Sequence, residues 1–311
     1  LMAGRLRAGI SARLAPGAWQ APWTGLFARV SRQITAQRHS RATANMIKTS
    51  GAIARSGLEA EGSVALVGAG PGSTDLITLR GVQRLQQADV IFYDRLIDPA
   101  VLDLARRGAE QIYVGKAPGC HHWPQDKISA ALVAVARQGK RVVRLKCGDP
   151  GVFARGAEEV DALSAAGIPY EIVPGVTAAS AASAALGGFL TGRGTCDRLV
   201  LASGQSQTAG KPLDWMSSLQ PGTRVAVYMG VGSAPKIAQA LIAADLDDHV
   251  SIDIVSRAQQ CDQVIAQCRA STLMETINSA SISNPAILFL TRPHSTPHET
   301  PAANKKLEHA P

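Results

Sequence analysis

The sequence predicts an α/β protein of two domains, and three observations support that fold class. The chain has 311 residues, 46% of them hydrophobic and 18% charged, which is enough for about two domains with buried cores. Short apolar runs alternate with segments of helical periodicity along most of its length. No apolar run approaches the about 20 residues of a membrane-spanning helix. We therefore expect two α/β domains with a ligand cleft between them and no membrane association.

The two ends of the chain differ from its middle. Residues 1–61 are rich in Arg, Ala and Ser, and the first acidic residue is Glu59. This basic leader is expected to be disordered or removed, either as an organelle transit segment or as upstream sequence with Met46 as the true start. We expect domains at residues 62–175 and 176–292, followed by a disordered tail at 293–311 that is rich in Pro, Thr and His.

The formal net charge of +8 belongs to the leader. Nine Lys and Arg residues precede Glu59, and the rest of the chain is close to neutral. A folded body of balanced charge does not indicate a surface for polyanions. The sequence therefore predicts no nucleic-acid partner.

The elements of the first half alternate between strand and helix. The apolar run Val64–Val67 predicts a strand, and Leu76, Leu79, Val82 and Leu85 mark one face of a helix capped at Ser73, Thr74 or Asp75. The remaining predicted strands are Val90–Tyr93, Arg141–Lys146 and Tyr170–Val173, and the remaining helices cover Ile128–Val135 and Ala157–Ala166. Repeated βα units of this kind predict a largely parallel sheet.

A second series of elements follows a linker near Pro174–Thr177. The predicted strands are Leu199–Ala202, Arg224–Met229, Ile252–Val255 and Ala286–Leu290, and the predicted helices are Ala234–Ala244 and Thr272–Asn278.

The five cysteines indicate neither a disulfide framework nor a metal site. Their number is odd and no two form a C-x-x-C pair, which indicates a reducing compartment. Cys120-His121-His122 lacks further ligands at the spacing of a tetrahedral site. We expect no bound metal.

A glycine turn, VGAGPG, joins the first strand to the first helix. Glycines permit close approach of the backbone to a ligand. However, Ser73 stands where a dinucleotide fingerprint has its third glycine, and Pro71 lacks a backbone donor for phosphate. The turn therefore argues against NAD.

Three later motifs have both a functional and a structural interpretation. Asp149, in KCGDP, follows a strand and is well placed in a ligand crevice, although Gly-Asp-Pro also favours a plain turn. The small residues of PGVTAASAA allow close approach to a helix start, or simply tight helix packing. Met229, in YMG, lies in the core or lines a pocket.

Two further motifs place a carboxylate and an amine at strand ends. Asp94 lies in YDRL and Lys116 in YVGK. The pair suits a base and an acid, and it equally suits a solvated salt bridge.

The series of motifs, in this order, resembles the tetrapyrrole methylase family. VGAGPGSTDLITLRG, YDRL, YVGK, RLKCGDP, ARGAEE, VPGVTAAS and YMG match the family's pattern over about residues 62–292. The resemblance implies two α/β domains with S-adenosyl-L-methionine in the cleft between them, usually in a homodimer. By the matching positions, Asp94 is the proton acceptor and Lys116 the proton donor. The positions that match the cofactor site are Pro71, Cys147, Gly148, Asp149, Val152, Thr177, Ala178, Met229 and Ala258.

The activity that the resemblance implies is S-adenosylmethionine-dependent C-methylation of uroporphyrinogen III, with two transfers giving precorrin-2, in sirohaem or cobalamin biosynthesis. The substrate carries eight carboxylates, and the cations suited to meet them are Arg95, Lys116, Arg144, Lys146, Arg155, Arg193 and Arg198. The expected location is cytoplasmic, or an organelle if the leader is a transit segment.

Three positions depart from the family pattern. Cys147 replaces a glycine, Gly192 stands where a histidine is usual, and Gln205 ends a Ser-Gly-Gln in place of Thr-Gly-His. We expect the Cys147 side chain to project beside the cofactor.

Two alternative functions remain open. The first is a methylase of the same fold that acts on a later corrinoid precursor or another substrate, and the second is a binding protein without turnover. A bifunctional enzyme with an added dehydrogenase and chelatase module is not expected, because a leader of about 60 residues is too short for such a module.

Overall fold

The computed structural model describes residues 62–115, 123–205 and 215–294, which belong to one compact unit. The predicted leader, most of the predicted tail, Lys116 and the Cys120–His122 segment lie outside the described residues. The domain boundaries at 175 and 292 stay predictions.

The first sheet consists of five parallel strands in the order β3-β2-β4-β1-β5. Its strands are β1 (Ser63–Gly68), β2 (Val90–Tyr93), β3 (Glu110–Tyr113), β4 (Arg141–Lys146) and β5 (Tyr170–Val173). The helices of this half are α1 (Leu79–Gln87), α2 (Pro99–Leu102), α3 (Gln125–Ala136) and α4 (Gly156–Ala165). The predicted parallel sheet is confirmed.

Both faces of the first sheet are buried, as parallel sheets require. Val67 and Leu145 pack with Leu85 of α1 on one face. Leu66 packs with Leu163 of α4 on the other. The central strand β4 is therefore buried on both faces, and its apolar residues belong to the two clusters.

The second sheet is mixed, in the order β6-β7-β10-β8-β9, and only the pair β6–β7 is parallel among its strands. Its strands are β6 (Arg198–Ser203), β7 (Thr223–Tyr228), β8 (Ser251–Ser256), β9 (Val264–Cys268) and β10 (Ala286–Arg292). The helices are α5 (Ala178–Ala185), α6 (Trp215–Ser218), α7 (Ala234–Ala243) and α8 (Leu273–Ser279). α7 packs on one face of the sheet and α5 on the other.

The start of the first helix differs from the prediction. Thr74–Leu76 form a separate 3₁₀ turn, and α1 begins at Leu79 behind Thr78, whose Oγ1 accepts a hydrogen bond of 3.1 Å from the Gly81 amide. Leu79 is 82% exposed, so it does not lie on the buried face. Extended backbone at Ile77 and Thr78 separates the two elements and breaks the apparent period of three.

Two strands escaped the sequence prediction, and both lie at sheet edges. β3 pairs only with β2, and β9 only with β8. Edge strands are partly exposed. β3 begins with two exposed polar residues, and the residues of β9 alternate between half-buried and exposed, so neither strand is a buried apolar run. Within the described ranges, no helix is both long enough and apolar enough to cross a membrane.

Candidate functional site

Three glycine motifs that lie far apart in the chain meet at the carboxyl ends of β1, β4 and β5. A Cβ added to Gly68 would lie 2.6 Å from the Gly148 carbonyl oxygen and 2.7 Å from the Gly175 Cα. A Cβ added to Gly175 would lie 2.2 Å from the same oxygen. Gly70 and Gly148 exchange backbone hydrogen bonds of 3.3 and 2.8 Å. We call Gly68, Gly70, Gly148 and Gly175 the glycine cradle.

Asp149 supports the glycine cradle through the main chain. Its Oδ1 accepts a hydrogen bond of 2.7 Å from the Gly151 amide, and its Oδ2 accepts one of 2.8 Å from the Gly175 amide. Both carboxylate oxygens therefore have backbone partners. Asp149 ties the segment after β4 to the segment after β5, a role that the sequence did not predict.

The cradle borders on residues of the second sheet. The Thr177 Oγ1 lies 2.6 Å from the Tyr228 hydroxyl, which also accepts a hydrogen bond of 3.0 Å from the Ala179 amide. The rings of Phe153 and Tyr228 lie 5.0 Å apart. Phe153 and Tyr228 were not among the predicted site residues, and their packing brings the segment after Asp149 to the end of β7.

Small apolar residues complete this border. Val152, Ala178 and Ala258 belong to the apolar cluster that packs against the α5 face of the second sheet. Pro71 is buried, and a Cβ on the following Gly72 would lie 2.8 Å from the Ala258 carbonyl oxygen. The structure thus brings the turn after β1 to Ala258, as the motif matches imply.

Strained backbone is concentrated around these residues. Four non-glycine residues with positive φ flank or coincide with the predicted cofactor positions: Phe153 (50°), Met229 (57°), Arg257 (49°) and Gln259 (62°). A fifth, Arg155 (54°), lies two residues beyond Phe153. Such conformations cost about 1–3 kcal/mol each and cluster at ligand sites. Fixed backbone, glycines without room for a Cβ and small apolar neighbours fit a ligand held by main-chain contacts. The residues present therefore fit S-adenosylmethionine.

The motifs YDRL and YVGK meet at neighbouring strand ends. The Val114 amide donates a hydrogen bond of 3.0 Å to the Tyr93 carbonyl. A Cβ on Gly115 would lie 2.6 Å from the Arg95 amide nitrogen. The described part of the second motif therefore lies against the first, and Lys116 itself is outside the described residues.

Asp94 begins a cluster of four charged side chains. The Arg144 Nη2 donates to both Asp94 carboxylate oxygens, at 2.7 and 2.8 Å. The Arg144 Nε donates to Glu159 at 3.0 Å, and the Lys146 Nζ lies 3.0 and 2.9 Å from the two Glu159 oxygens. We call Asp94, Arg144, Lys146 and Glu159 the charge cluster. It contains two cations and two anions.

Burial distinguishes Asp94 from the other members of the charge cluster. The side chains of Arg144, Lys146 and Glu159 are 2%, 4% and 0% exposed, whereas that of Asp94 is 32% exposed. Burial and the charge of Arg144 lower the pKa of Lys146, although Glu159 opposes this shift. Burial opposes a rise in the pKa of Arg144, which the charges of Asp94 and Glu159 nevertheless produce.

Arg144 and Lys146 are therefore not available to bind substrate carboxylates, contrary to the prediction. They point into the sheet packing, where each has a buried partner. Of the remaining cations, Arg95, Arg155, Arg193 and Arg198 are exposed. Arg155 is paired with Glu158, with a separation of 2.6 Å.

The Cys147 side chain is half-buried, and its projection beside the cofactor stays a prediction. The side chain packs against the apolar cluster of Val67 and Leu85 in the first sheet. Burial, followed by the charge of Asp94, raises the pKa of its thiol to about 11. Cys147 thus stands where the family has a glycine at the rim of the cradle, with its half-buried side chain packed against the core.

A surface depression of about 760 Å³ lies elsewhere, on the second sheet. Its lining includes Phe189, Gly192, Arg224 and Cys268, and none of the predicted catalytic or cofactor positions. The strained backbone and the close-packed glycines lie outside it, so we place the site at the cradle. Within the described ranges, no group of three or more His, Cys, Asp or Glu residues could hold a metal ion.

The fold and the site are those of an α/β enzyme that binds a small molecule at the carboxyl ends of parallel strands. The profile of the tetrapyrrole (corrin/porphyrin) methylases matches residues 63–274. The chain therefore belongs to the tetrapyrrole methylase family. The predictions of family, fold class and methyltransferase class are confirmed.

Named relatives agree with this membership. A siroheme synthase from Hydrogenovibrio crunogenus is 43% identical over 230 residues, which are 74% of this chain and 49% of the relative. The chain thus spans about half the length of the curated relatives it matches.

Two solved structures are similar over nearly their whole length. The uroporphyrin-III C-methyl transferase from Thermus thermophilus, in complex with S-adenyl homocysteine, is 38% identical with a TM-score of 0.63, covering 74% of this chain and 97% of that one. A cobalt precorrin-4 methyltransferase of cobalamin biosynthesis is 26% identical with a TM-score of 0.65, covering 74% and 94%.

Proposed function

We propose that the chain catalyses S-adenosylmethionine-dependent C-methylation of uroporphyrinogen III, with two transfers that give precorrin-2. The observation that carries the proposal is the position of Asp94, a part-exposed carboxylate at the end of β2 that is anchored by the buried Arg144. The similarity to the Thermus thermophilus uroporphyrin-III C-methyl transferase, at 38% identity, supports the choice of substrate.

S-adenosylmethionine supplies the methyl group as an electrophile attached to a sulfonium. Its proposed contacts are the cofactor positions of the matched motifs: Pro71, Cys147, Gly148, Asp149, Val152, Thr177, Ala178, Met229 and Ala258. Because a sulfonium already carries a good leaving group, we propose that the transfer needs no metal. The chain then contributes mainly alignment, which is worth several kcal/mol in such reactions.

The proposed catalytic residues handle protons. An electron-rich pyrrole carbon gives an electron pair to the new C–C bond while the methyl–sulfur bond breaks, and that bond's electron pair stays on the sulfur of the departing S-adenosylhomocysteine. The alkylated macrocycle must then lose a proton, which the Asp94 carboxylate accepts and later releases to solvent. Lys116 is the proposed proton donor to a carbon of the macrocycle when its double bonds shift. Arg95, Arg155, Arg193 and Arg198 are proposed contacts for substrate carboxylates.

A later corrinoid precursor is the second candidate substrate. The similarity to a cobalt precorrin-4 methyltransferase, at 26% identity and a TM-score of 0.65, favours it. The YDRL and YVGK motifs favour uroporphyrinogen III, since they supply both the acceptor and the donor of a proton.

The assembly, the pathway and the location are further proposals. We propose a homodimer that acts in sirohaem or cobalamin biosynthesis in the cytoplasm. The near-neutral charge after the leader supports the absence of a nucleic-acid partner. The proposed domains are residues 62–175 and 176–292.

The test is an anaerobic incubation of the full chain with uroporphyrinogen III and S-adenosylmethionine, followed by mass spectrometry. We expect a product with two added methyl groups, and none when S-adenosylmethionine is omitted. Binding of S-adenosylhomocysteine without methyl transfer would identify a binding protein instead. Methylation of a later corrinoid precursor alone would select the second candidate.

A further inference from the structure

Arg144 has no donor left for a substrate. Besides the two contacts with Asp94 and the one with Glu159, its Nη1 lies 3.2 Å from the Leu145 carbonyl oxygen and 3.5 Å from that of Phe92. A guanidinium has five N–H donors in a fixed plane, and these five contacts account for them. The orientation of Arg144 is therefore determined on every side.

Glu159 is the most deeply buried member of the charge cluster. It lies on α4, with a side chain that is 0% exposed. Its Oε1 accepts hydrogen bonds from Arg144, Lys146 and the Gln125 amide of α3, each at 3.0 Å. Helix α4, behind the sheet, is thereby connected through the Arg144 side chain of β4 to the Asp94 carboxylate at the carboxyl end of β2.

We infer that Glu159 is a positioning residue for Asp94, acting through Arg144, which it holds in the plane that fixes both Asp94 oxygens. The inference rests on the proposed function, in which Asp94 accepts a proton from the methylated macrocycle. Glu159 touches neither substrate nor cofactor positions. Its effect is to set the direction and the electrostatic surroundings of a carboxylate on a neighbouring strand.

Stability alone does not account for the arrangement. A buried ion pair is commonly no more stabilising than apolar side chains of the same volume, and β4 is otherwise enclosed by apolar residues. Arg144 also connects two carboxylates in different surroundings: Glu159 is fully buried, whereas Asp94 is 32% exposed and can be reached by a ligand. Fully satisfied polar networks of this kind fix the geometry of their members.

The charge balance of the cluster makes the inference testable. Tyr93 and Arg95 flank Asp94 in the chain, the Tyr113 ring lies 5.5 Å from that of Tyr93, and the charge of Asp94 acts on the Cys147 thiol. Asp126 and Lys127 of α3 are exposed, as is Glu158 of α4. Two opposite single changes therefore alter the cluster in opposite directions without replacing Asp94.

Glu159→Gln leaves two cations with one carboxylate. The excess positive charge favours the ionised form of Asp94, which is the form that accepts a proton. We therefore expect the acid limb of the pH profile of kcat to move to lower pH by about one unit. Arg144→Met leaves two carboxylates with the Lys146 ammonium, and the acid limb should move to higher pH by about one unit or more. Both variants should lower kcat about 10- to 100-fold through misplacement of Asp94, with the KM for S-adenosylmethionine unchanged.

A double variant separates charge from packing. Lys146→Met combined with Glu159→Gln restores neutrality, because Arg144 then faces Asp94 alone. The acid limb should return to within about 0.3 units of the parent protein, while part of the loss in kcat persists because Arg144 has lost its charged anchor. A purely structural role predicts instead that the double variant has a lower kcat than Glu159→Gln and an acid limb no closer to that of the parent protein.

The controls distinguish this inference from the proposed function. Asp161→Asn removes an exposed carboxylate from the same helix and should leave the profile unchanged. If Glu159→Gln does not fold, as judged by circular dichroism, Arg144→Met carries the test. Unshifted acid limbs in folded variants would overturn the inference while leaving methyl transfer established. Absence of methylation in the parent protein, or full activity of Asp94→Asn, would instead overturn the proposed function.

Discussion

The glycine cradle and the charge cluster lie at the carboxyl ends of the same parallel sheet, yet different forces hold them. Main-chain contacts hold the cradle, where an added Cβ would lie 2.2 Å from a carbonyl oxygen. Side-chain charges hold the cluster, whose contacts are 2.7–3.0 Å ion pairs. We therefore expect the cradle to be most sensitive to an added atom and the cluster to be most sensitive to a change of charge.

Gly175→Ala should have the largest effect. Because its Cβ would overlap the Gly148 carbonyl oxygen, the backbone after β5 must move, at a cost of about 3 kcal/mol or more in the free energy of unfolding. Urea unfolding and titration calorimetry with S-adenosylhomocysteine measure the two consequences, lower stability and lost binding. The control is Gly108→Ala, which meets nothing within 4 Å. Equal stability of the two variants would contradict the tight packing of the cradle.

Asp94→Asn tests the charge cluster. The amide keeps the shape of the side chain but cannot accept a proton in the same way, so turnover should fall by about 10²- to 10⁴-fold. Affinity for S-adenosylhomocysteine should not change, because the cradle does not depend on this charge. Single-turnover methylation at saturating cofactor provides the measurement. A near-parental rate would remove Asp94 from the chemistry.

Asp149→Ala should affect stability and binding together. The substitution leaves the Gly151 and Gly175 amides without their carboxylate acceptor, and each charge-assisted hydrogen bond contributes about 1.5–3 kcal/mol. Because the bond to Gly151 is exposed and therefore contributes less, we expect a free energy of unfolding lower by about 2–4 kcal/mol and weaker binding of S-adenosylhomocysteine. Thermal unfolding and calorimetry provide the measurements. Weaker binding with full stability would show that Asp149 contacts the ligand and does not support the main chain.

Cys147 should show the smallest effect. Its thiol has a pKa of about 11, so at pH 8 almost all of it is protonated and its alkylation should be at least about 10-fold slower than that of the exposed Cys261. Peptide mapping after timed iodoacetamide treatment compares the two residues within one sample. Cys147→Gly should lower the free energy of unfolding by about 1 kcal/mol. Alkylation of both thiols at equal rates would place the Cys147 sulfur outside the core.

Much of the fold could be predicted from the sequence, because its central strands are apolar runs and its helices have regular periodicity. β4 and β5 have the predicted bounds. β3 could not be predicted, since Glu110-Gln111-Ile112-Tyr113 gains its strand conformation from pairing with β2 and not from an apolar pattern.

The predicted site was less complete than the predicted fold. Charged residues are usually exposed, which favoured a surface role for Arg144 and Lys146. The available signal was their position in an otherwise apolar central strand. Such a strand is buried on both faces of the sheet, so a charged side chain in it needs a buried partner of opposite charge. Glu159 lies in a helix with ordinary periodicity, and only the three-dimensional structure shows that it faces β4.

The glycine cradle has a consequence for the order of folding. Gly68, Gly148 and Gly175 are distant in the chain, so their contacts require the closure of long loops and form after local helices. A ligand held by the cradle binds only the completed sheet, since partly folded chains lack the site. S-adenosylhomocysteine should therefore slow unfolding while leaving the refolding rate unchanged.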